Sequence, residues 1–144
     1  MKRILAAVCT AVLLTGCGGG PTVVENAESR VSDGEMLRAS QNAHLVMQNA
    51  QNYCADCNSR GVQLRTGRYS GKLDTAREMT YDGSQGDFDA AMDTYTNGMA
   101  KGYYVVMIDN NGVPSVAYWC ESDITSMDFS KEPEGDIVIG KWTD

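Results

Sequence analysis

Residues 33–53 read DGEMLRASQNAHLVMQNAQNY, and this stretch sets the architecture. Placed at 100° per residue, Met36, Ala39, Ala43, Val46, Met47, Ala50, Tyr53 and Cys54 fall on one arc about 140° wide. Arg38, Gln41, Gln48, Asn49, Gln51 and Asn52 fall outside it. The spacing predicts a one-sided helix over 33–53, extending as far as Cys57, about 30 Å long at 1.5 Å per residue. Asp33 is placed to cap it. A stripe of alanine and methionine lets the helix lie close against a sheet.

Downstream, Asn58-Ser59-Arg60-Gly61 stops the helix. Val62-Gln63-Leu64 reads as a short strand, and 66–86 as a Gly-rich loop. Phe88, Ala91, Met92 and Tyr95 recur at helical spacing. With acids in the first turn and Gly98 at the C-cap, they predict a second helix from Asp87 to about Asn97. The last third reads as β. Tyr103 to Ile108 is a continuous apolar run, Asp109-Asn110-Asn111-Gly112 is a hairpin signal, and Val113 to Cys120 is the return strand. Pro114 marks a strand start or an edge. A final strand is expected over 136–142. The fold class is therefore α+β: a long N-terminal helix on a C-terminal antiparallel sheet of three to four strands, with a second short helix. The apolar run in 104–108 calls for cover on both sheet faces, with the short helix as the expected cover.

The N-terminus carries a different message. Lys2 and Arg3 precede an apolar run from Ile4 to Leu14, too short to span a bilayer as a lasting helix. Leu14-Thr15-Gly16-Cys17 follows. This resembles the lipobox of bacterial lipoproteins. The resemblance implies cleavage before Cys17, acylation of Cys17, and recognition through Leu14, Thr15 and Gly16. It divides the chain into a signal peptide (1–16), a lipidated tether (17–32, opening Gly18-Gly19-Gly20-Pro21) and one globular domain (33–144). It also implies attachment to the cell membrane or outer membrane on the extracytoplasmic side. Two of the 12 basic residues lie in the signal and none of the 19 acids does, so the remainder holds 10 against 19, a net −9. Dispersed acidity excludes nucleic acid as a partner, because no basic patch is present to displace counterions from phosphates. It also excludes electrostatic docking on anionic lipid, which leaves the acyl chains as the membrane contact.

The order of elements resembles the type IV pilin-like family, particularly that of Gram-positive bacteria. An alanine-rich helix, the short helix at Phe88–Tyr95, Gly102-Tyr103-Tyr104-Val105-Val106 entering the Asp-Asn-Asn-Gly turn, Ser115 to Trp119, and the closing Ile139-Gly140-Lys141-Trp142 carry the likeness. Pilins place a prepilin-peptidase site and a polymerising apolar helix where this chain has a lipobox and a leash. The resemblance therefore implies a non-enzymatic binding or assembly headgroup held by lipid, with an envelope protein as partner.

Three cysteines remain after Cys9 and Cys17: Cys54, Cys57 and Cys120. Cys54-Ala55-Asp56-Cys57 is a C-x-x-C, but it closes a helix. The partial negative charge at that end disfavours the thiolates that redox chemistry needs. Zinc would require Cys54, Cys57 and Cys120 to converge with a fourth ligand, and His44 lies about 2.5 turns away. Haem attachment is excluded, as Asn58 stands where histidine would be required. A structural disulfide between the helix end and Cys120 is the plainer expectation, to Cys57 rather than Cys54. It would stabilise by about 2–4 kcal/mol. In an anaerobic cell all three would stay reduced. A thiol–disulfide or metal-handling lipoprotein built on these cysteines is the alternative function. No catalytic residue, metal site or cofactor is assigned. Asp109 to Gly112 is too short for a calcium loop and is explained by turn chemistry. Of the large aromatics Tyr103, Tyr104, Tyr118, Trp119 and Trp142, half should face the helix; the rest are candidates for a partner surface.

Overall fold

The computed structural model describes residues 22–24, 32–74, 77–131 and 137–144. The chain runs β1 (Thr22–Val24), α1 (Asp33–Ser59), β2 (Gly67–Lys72), α2 (Gln85–Thr96), β3 (Tyr103–Ile108), β4 (Pro114–Cys120) and β5 (Ile139–Thr143). The architecture is α+β, with both helices on one side of an antiparallel sheet. Strand order is β1-β5-β4-β3-β2. The residues read as signal peptide and lipobox lie outside the described residues.

Helix α1 begins at Asp33, as expected, and runs on to Ser59. Ser32, not Asp33, is the cap. Its hydroxyl accepts from the Glu35 N–H at 3.3 Å, and the Glu35 carboxylate accepts from the Ser32 N–H at 3.0 Å. This reciprocal box satisfies two donors that a helix start otherwise leaves open. The predicted stripe is buried from Ala39 through Cys57. Its small residues permit close approach at one point above all. A Cβ at Gly140 of β5 would overlap the Ala39 carbonyl oxygen. Asn49, read as outside the stripe, is buried too. Its amide donates to Thr96 Oγ1 of α2 at 3.0 Å, so α2 widens the buried arc beyond what one helix implies.

Two corrections concern the middle of the chain. Val62–Leu64 is not a strand: it leaves the helix end, with Val62 N–H bonded to Cys57 O, and drops Leu64 into the core. The strand lies instead at Gly67–Lys72, within the segment read as loop, paired in full register with β3. Gly71 misled the reading. A Cβ there would strike Asp89 and Tyr104, whose hydroxyl donates to Asp89 at 3.1 Å. The glycine thus serves packing rather than a turn. Strand β2 forms one edge of the sheet, and Gln85 closes part of it. The Gln85 side-chain amide accepts from Ser70 N–H at 3.1 Å and donates to Ser70 C=O at 3.0 Å, imitating a paired strand.

The tether also contributes structure. Thr22–Val24 pairs with β5 as a fifth strand, so only residues 18–21 separate the predicted anchor cysteine from the sheet. Pro114 starts β4, which is a central strand and not an edge.

The second sheet face is covered by a loop rather than by the short helix. Helix α2 sits with α1 over Tyr104, Val106 and Trp119. The opposite face, with Val105, Tyr118, Cys120 and Ile139, packs under Ile124, Met127 and Phe129. That loop repeats one device. Asp123 accepts from Thr125 N–H and hydroxyl, Asp128 accepts from Ser130 N–H and hydroxyl, and the residue between, Ile124 or Phe129, points onto the sheet. Arg68 holds the loop down. Its guanidinium donates to the carbonyls of Ile124, Thr125 and Met127 at 2.6 to 3.0 Å.

Gly140→Ala is expected to destabilise the domain by about 1–3 kcal/mol through overpacking against the Ala39 backbone. Urea unfolding followed by tryptophan fluorescence would measure it, and a neutral result would show that α1 can shift.

Candidate functional site

The most densely bonded polar group in the interior is Asp87, at 5 % exposure. It occupies the third residue of α2, after the Ser84 cap, where a carboxylate is favoured by the helix N-terminus. Tyr53 of α1 donates its hydroxyl to Asp87 Oδ2 at 2.5 Å. Thr80 donates both its N–H and its hydroxyl to Oδ1, and Asp82 N–H donates to Oδ2 at 3.2 Å. Gly83 N–H donates in turn to the Tyr53 oxygen at 3.2 Å. One carboxylate thus ties both helices to the 77–84 loop. Burial alone would raise the Asp87 pKa; the bonds from Tyr53 and Thr80 overcome it and hold the carboxyl below its usual range.

Around this hub the loop is set under strain. Tyr81 has φ +58, a left-handed conformation uncommon for an aromatic residue. Its ring stacks 6.2 Å from Tyr53, with the Arg60 guanidinium 4.0 Å away on the ring face. Tyr95 donates to Asp56 at 2.5 Å. Burial, with the neighbouring carboxylates, pushes the Tyr53 and Tyr95 phenols far above the ordinary tyrosine range. Both remain protonated donors at physiological pH. The arrangement holds the Asp87 and Asp56 carboxylates in place.

The three cysteines are free and buried, and they do not converge. Cys54 and Cys57 face the core between α1 and the sheet, beside Leu64 and Tyr69. Cys120 belongs to the other face, with Tyr118 and Ile124. The reason is strand parity. Ala117 and Trp119 of β4 point toward the helices, so Tyr118 and Cys120 point away. The expected link from the helix end to Cys120 is therefore corrected: the sheet lies between them. Among the described residues no group of three His, Cys, Asp or Glu is placed to hold a metal. Burial, then the neighbouring Cys57 and Asp109, pushes the Cys54 thiol up to about 12. Burial also raises Cys57 and Cys120. Desolvation, more than the helix end, keeps these thiols protonated.

The remaining candidates fall into place as structural parts. His44 stacks on Trp142 with ring centroids 3.9 Å apart. The Asp109 carboxylate accepts from Asn111 N–H and Val113 N–H, the expected turn chemistry. Tyr104, Trp119 and Trp142 face the helices. Tyr118, a candidate for a partner surface, is stacked on Phe129 at 3.8 Å and covered by its own chain.

Clefts stand open at two places among the described residues. One, of about 220 Å³, lies between the start of α1 and the end of β4. Ala39, Trp119 and Val138 line it, and the Arg38–Glu121 ion pair at 2.5 Å crosses its rim. The other, of about 480 Å³, is wider and polar, between Gln63–Tyr69 and Asp82–Gln85. Neither was legible in the sequence, because each joins residues more than 15 positions apart. Comparison with known protein families, characterised proteins and solved structures returns no match.

Asp87→Asn would turn an amide N–H₂ toward donors. It is expected to cost about 1–3 kcal/mol at pH 7. Because the folded pKa lies below the unfolded value near 3.9, the native carboxylate stabilises above that pH, and its contribution fades as pH falls through the folded pKa. The gap between native and variant in urea melts should therefore narrow under acid. Thiol reagents should reach none of Cys54, Cys57 and Cys120 quickly in the native domain and all three in denaturant, with no prior reduction needed. A thiol count that rises only after a reductant is added would contradict this arrangement.

Proposed function

We propose that this chain is a lipid-anchored extracytoplasmic protein whose α+β domain, pilin-like in form, acts as a binding or assembly headgroup on the cell membrane or outer membrane. The observation that carries the reading is Leu14-Thr15-Gly16-Cys17, set directly after a short apolar run with a basic start. Acyl chains on Cys17 supply membrane attachment, and two or more are needed for stable anchoring. The domain supports a binding role rather than catalysis. Its buried polar hub is saturated by the Tyr53 and Thr80 hydroxyls and by the Thr80 and Asp82 N–H groups, and its thiols are buried and apart. The cleft rimmed by Arg38 and Glu121, with the Trp119 ring 5.9 Å from the Arg38 guanidinium, offers an apolar floor and charged edges to an envelope protein.

Expression of the full chain in bacteria fed an alkyne-bearing fatty acid tests the anchor. The native chain should take up the label and sediment with membranes; Cys17→Ser should lose the label and fail to be processed at residue 17. A photo-crosslinking residue at Glu121 should give one discrete protein adduct in cells, and the same residue at Asn110 none. Labelling that survives Cys17→Ser would overturn the anchor assignment. Equal adducts from both positions would remove the cleft from the binding role.

A further inference from the structure

The strap over the far face of the sheet is built unlike the rest of the domain. Of the ten residues 122–131, Ile124 alone is buried; Thr125, Met127 and Phe129 are half-buried and the other six are exposed. The strap pairs with no strand. Its Met127 N–H donates to Ile124 C=O and its Lys131 N–H to Asp128 C=O, while the Asp123 and Asp128 carboxylates accept from Thr125 and Ser130. The Ser122 N–H reaches only back to Cys120 Sγ, at 3.4 Å. Among the described residues, every hydrogen bond between this strap and a distant part of the chain comes from one side chain, Arg68.

Strand parity places Arg68 for this. Tyr69 of β2 faces the helices, so its neighbour Arg68 faces the strap. The planar guanidinium spreads its donors over a fork, which lets it serve the carbonyls of Ile124, Thr125 and Met127 together, 5.5 Å from the Phe129 ring centroid. Beneath the strap lie Val105, Tyr118, Cys120 and Ile139, all buried. On the other face Cys54 and Cys57 belong to the core that both helices close. A segment with few buried apolar groups and self-contained bonds opens at a lower free energy than elements joined through a shared core.

We propose that the strap 122–131 is a latched cover: it lifts as a unit while the helices stay on the sheet, Arg68 is its latch, and lifting bares the apolar face of β3, β4 and β5 together with Cys120. The Asp123 and Asp128 turns bond within the strap and do not depend on contact with the sheet. What lifting breaks is the burial of Ile124 and Met127, the stacking of Phe129 on Tyr118 and the bonds of Arg68. The thiols on the two faces report on different events. Cys120 is reached when the strap lifts, whereas Cys54 and Cys57 are reached only when α1 leaves the sheet.

Slow alkylation of the purified full chain by iodoacetamide, mapped by mass spectrometry, tests it. Cys120 falls in tryptic peptide 102–131 and the pair Cys54 and Cys57 in 39–60, so the two faces are read apart. Each rate is divided by that of the same thiol in denaturant. Cys120 should react about tenfold or more faster than the pair, because its exposure needs only a local opening. Its rate should change little with sub-denaturing urea while that of the pair climbs steeply, since urea dependence follows the surface exposed. Val46→Ala, in the helix-side core, should speed the pair about tenfold and leave Cys120 within about twofold, because lifting the strap does not disturb that core. Arg68→Lys gathers its donors at one point and should speed Cys120 about tenfold. Equal rates with one urea dependence, or a Val46→Ala effect on all three thiols alike, would mean that the strap leaves only when the domain unfolds, and would overturn the cover. An unchanged Cys120 rate in Arg68→Lys would overturn the latch. The urea series needs only the native chain, so it decides even if a variant fails to fold.

Discussion

The seam between α1 and the centre of the sheet is the constraint on which the other features depend. At Gly140 two backbones come so near that no side chain fits between them. Ala39, Ala43 and Ala50 keep the same spacing along the helix. A helix seated this low leaves no room for a second layer over β4 and β5. Helix α2 docks beside α1, over β2 and β3. The far face of the sheet is covered by the 121–131 loop, with side chains of single residues serving as plugs and Arg68 as the clasp.

Burial on both faces explains the chemistry of the thiols. A strand covered on one side only would have left Cys120 open to solvent and to partners. Here it sits beneath Ile124, and the helical pair Cys54 and Cys57 sits beneath the sheet. The same low-dielectric surroundings that hold these sulfurs protonated make the Asp87 carboxylate valuable. A buried charge is tolerable only when its oxygens are fully bonded, and the donors come from Tyr53, Thr80 and Asp82.

Regular periodicity made much of this legible in sequence. The α1 stripe, the α2 spacing, and the Tyr103–Ile108 run with its Asp-Asn-Asn-Gly turn each repeat at a period that burial alone produces. The failures share a cause. Strand β2 holds only one large apolar residue, Tyr69, and its Gly71 imitates a loop. Strand β1 is three residues long, too short for alternation to register. Asn49 looks solvent-facing until Thr96 arrives from another helix. The Asp-x-Ser/Thr turns at Asp123 and Asp128 were a local signal open to reading. The separation of Cys120 from Cys57 follows from alternation along β4 only once Trp119 is placed toward the helices, and the sequence does not say which aromatics face them. The Asp87 hub and the two clefts depend on contacts across the fold, which no local pattern encodes.

The Gln85 amide on Ser70 gains a further meaning under the proposed lipid anchor. Proteins fixed to a membrane diffuse in two dimensions, where neighbours meet far more often than the same number of copies in solution. An open strand edge in that setting invites lateral sheet growth. One glutamine side chain occupies the donor and acceptor a neighbouring strand would seek, and it does so from the rigid first turn of a helix. On the proposed anchor, this contact would hinder strand addition at Ser70 where copies crowd side by side.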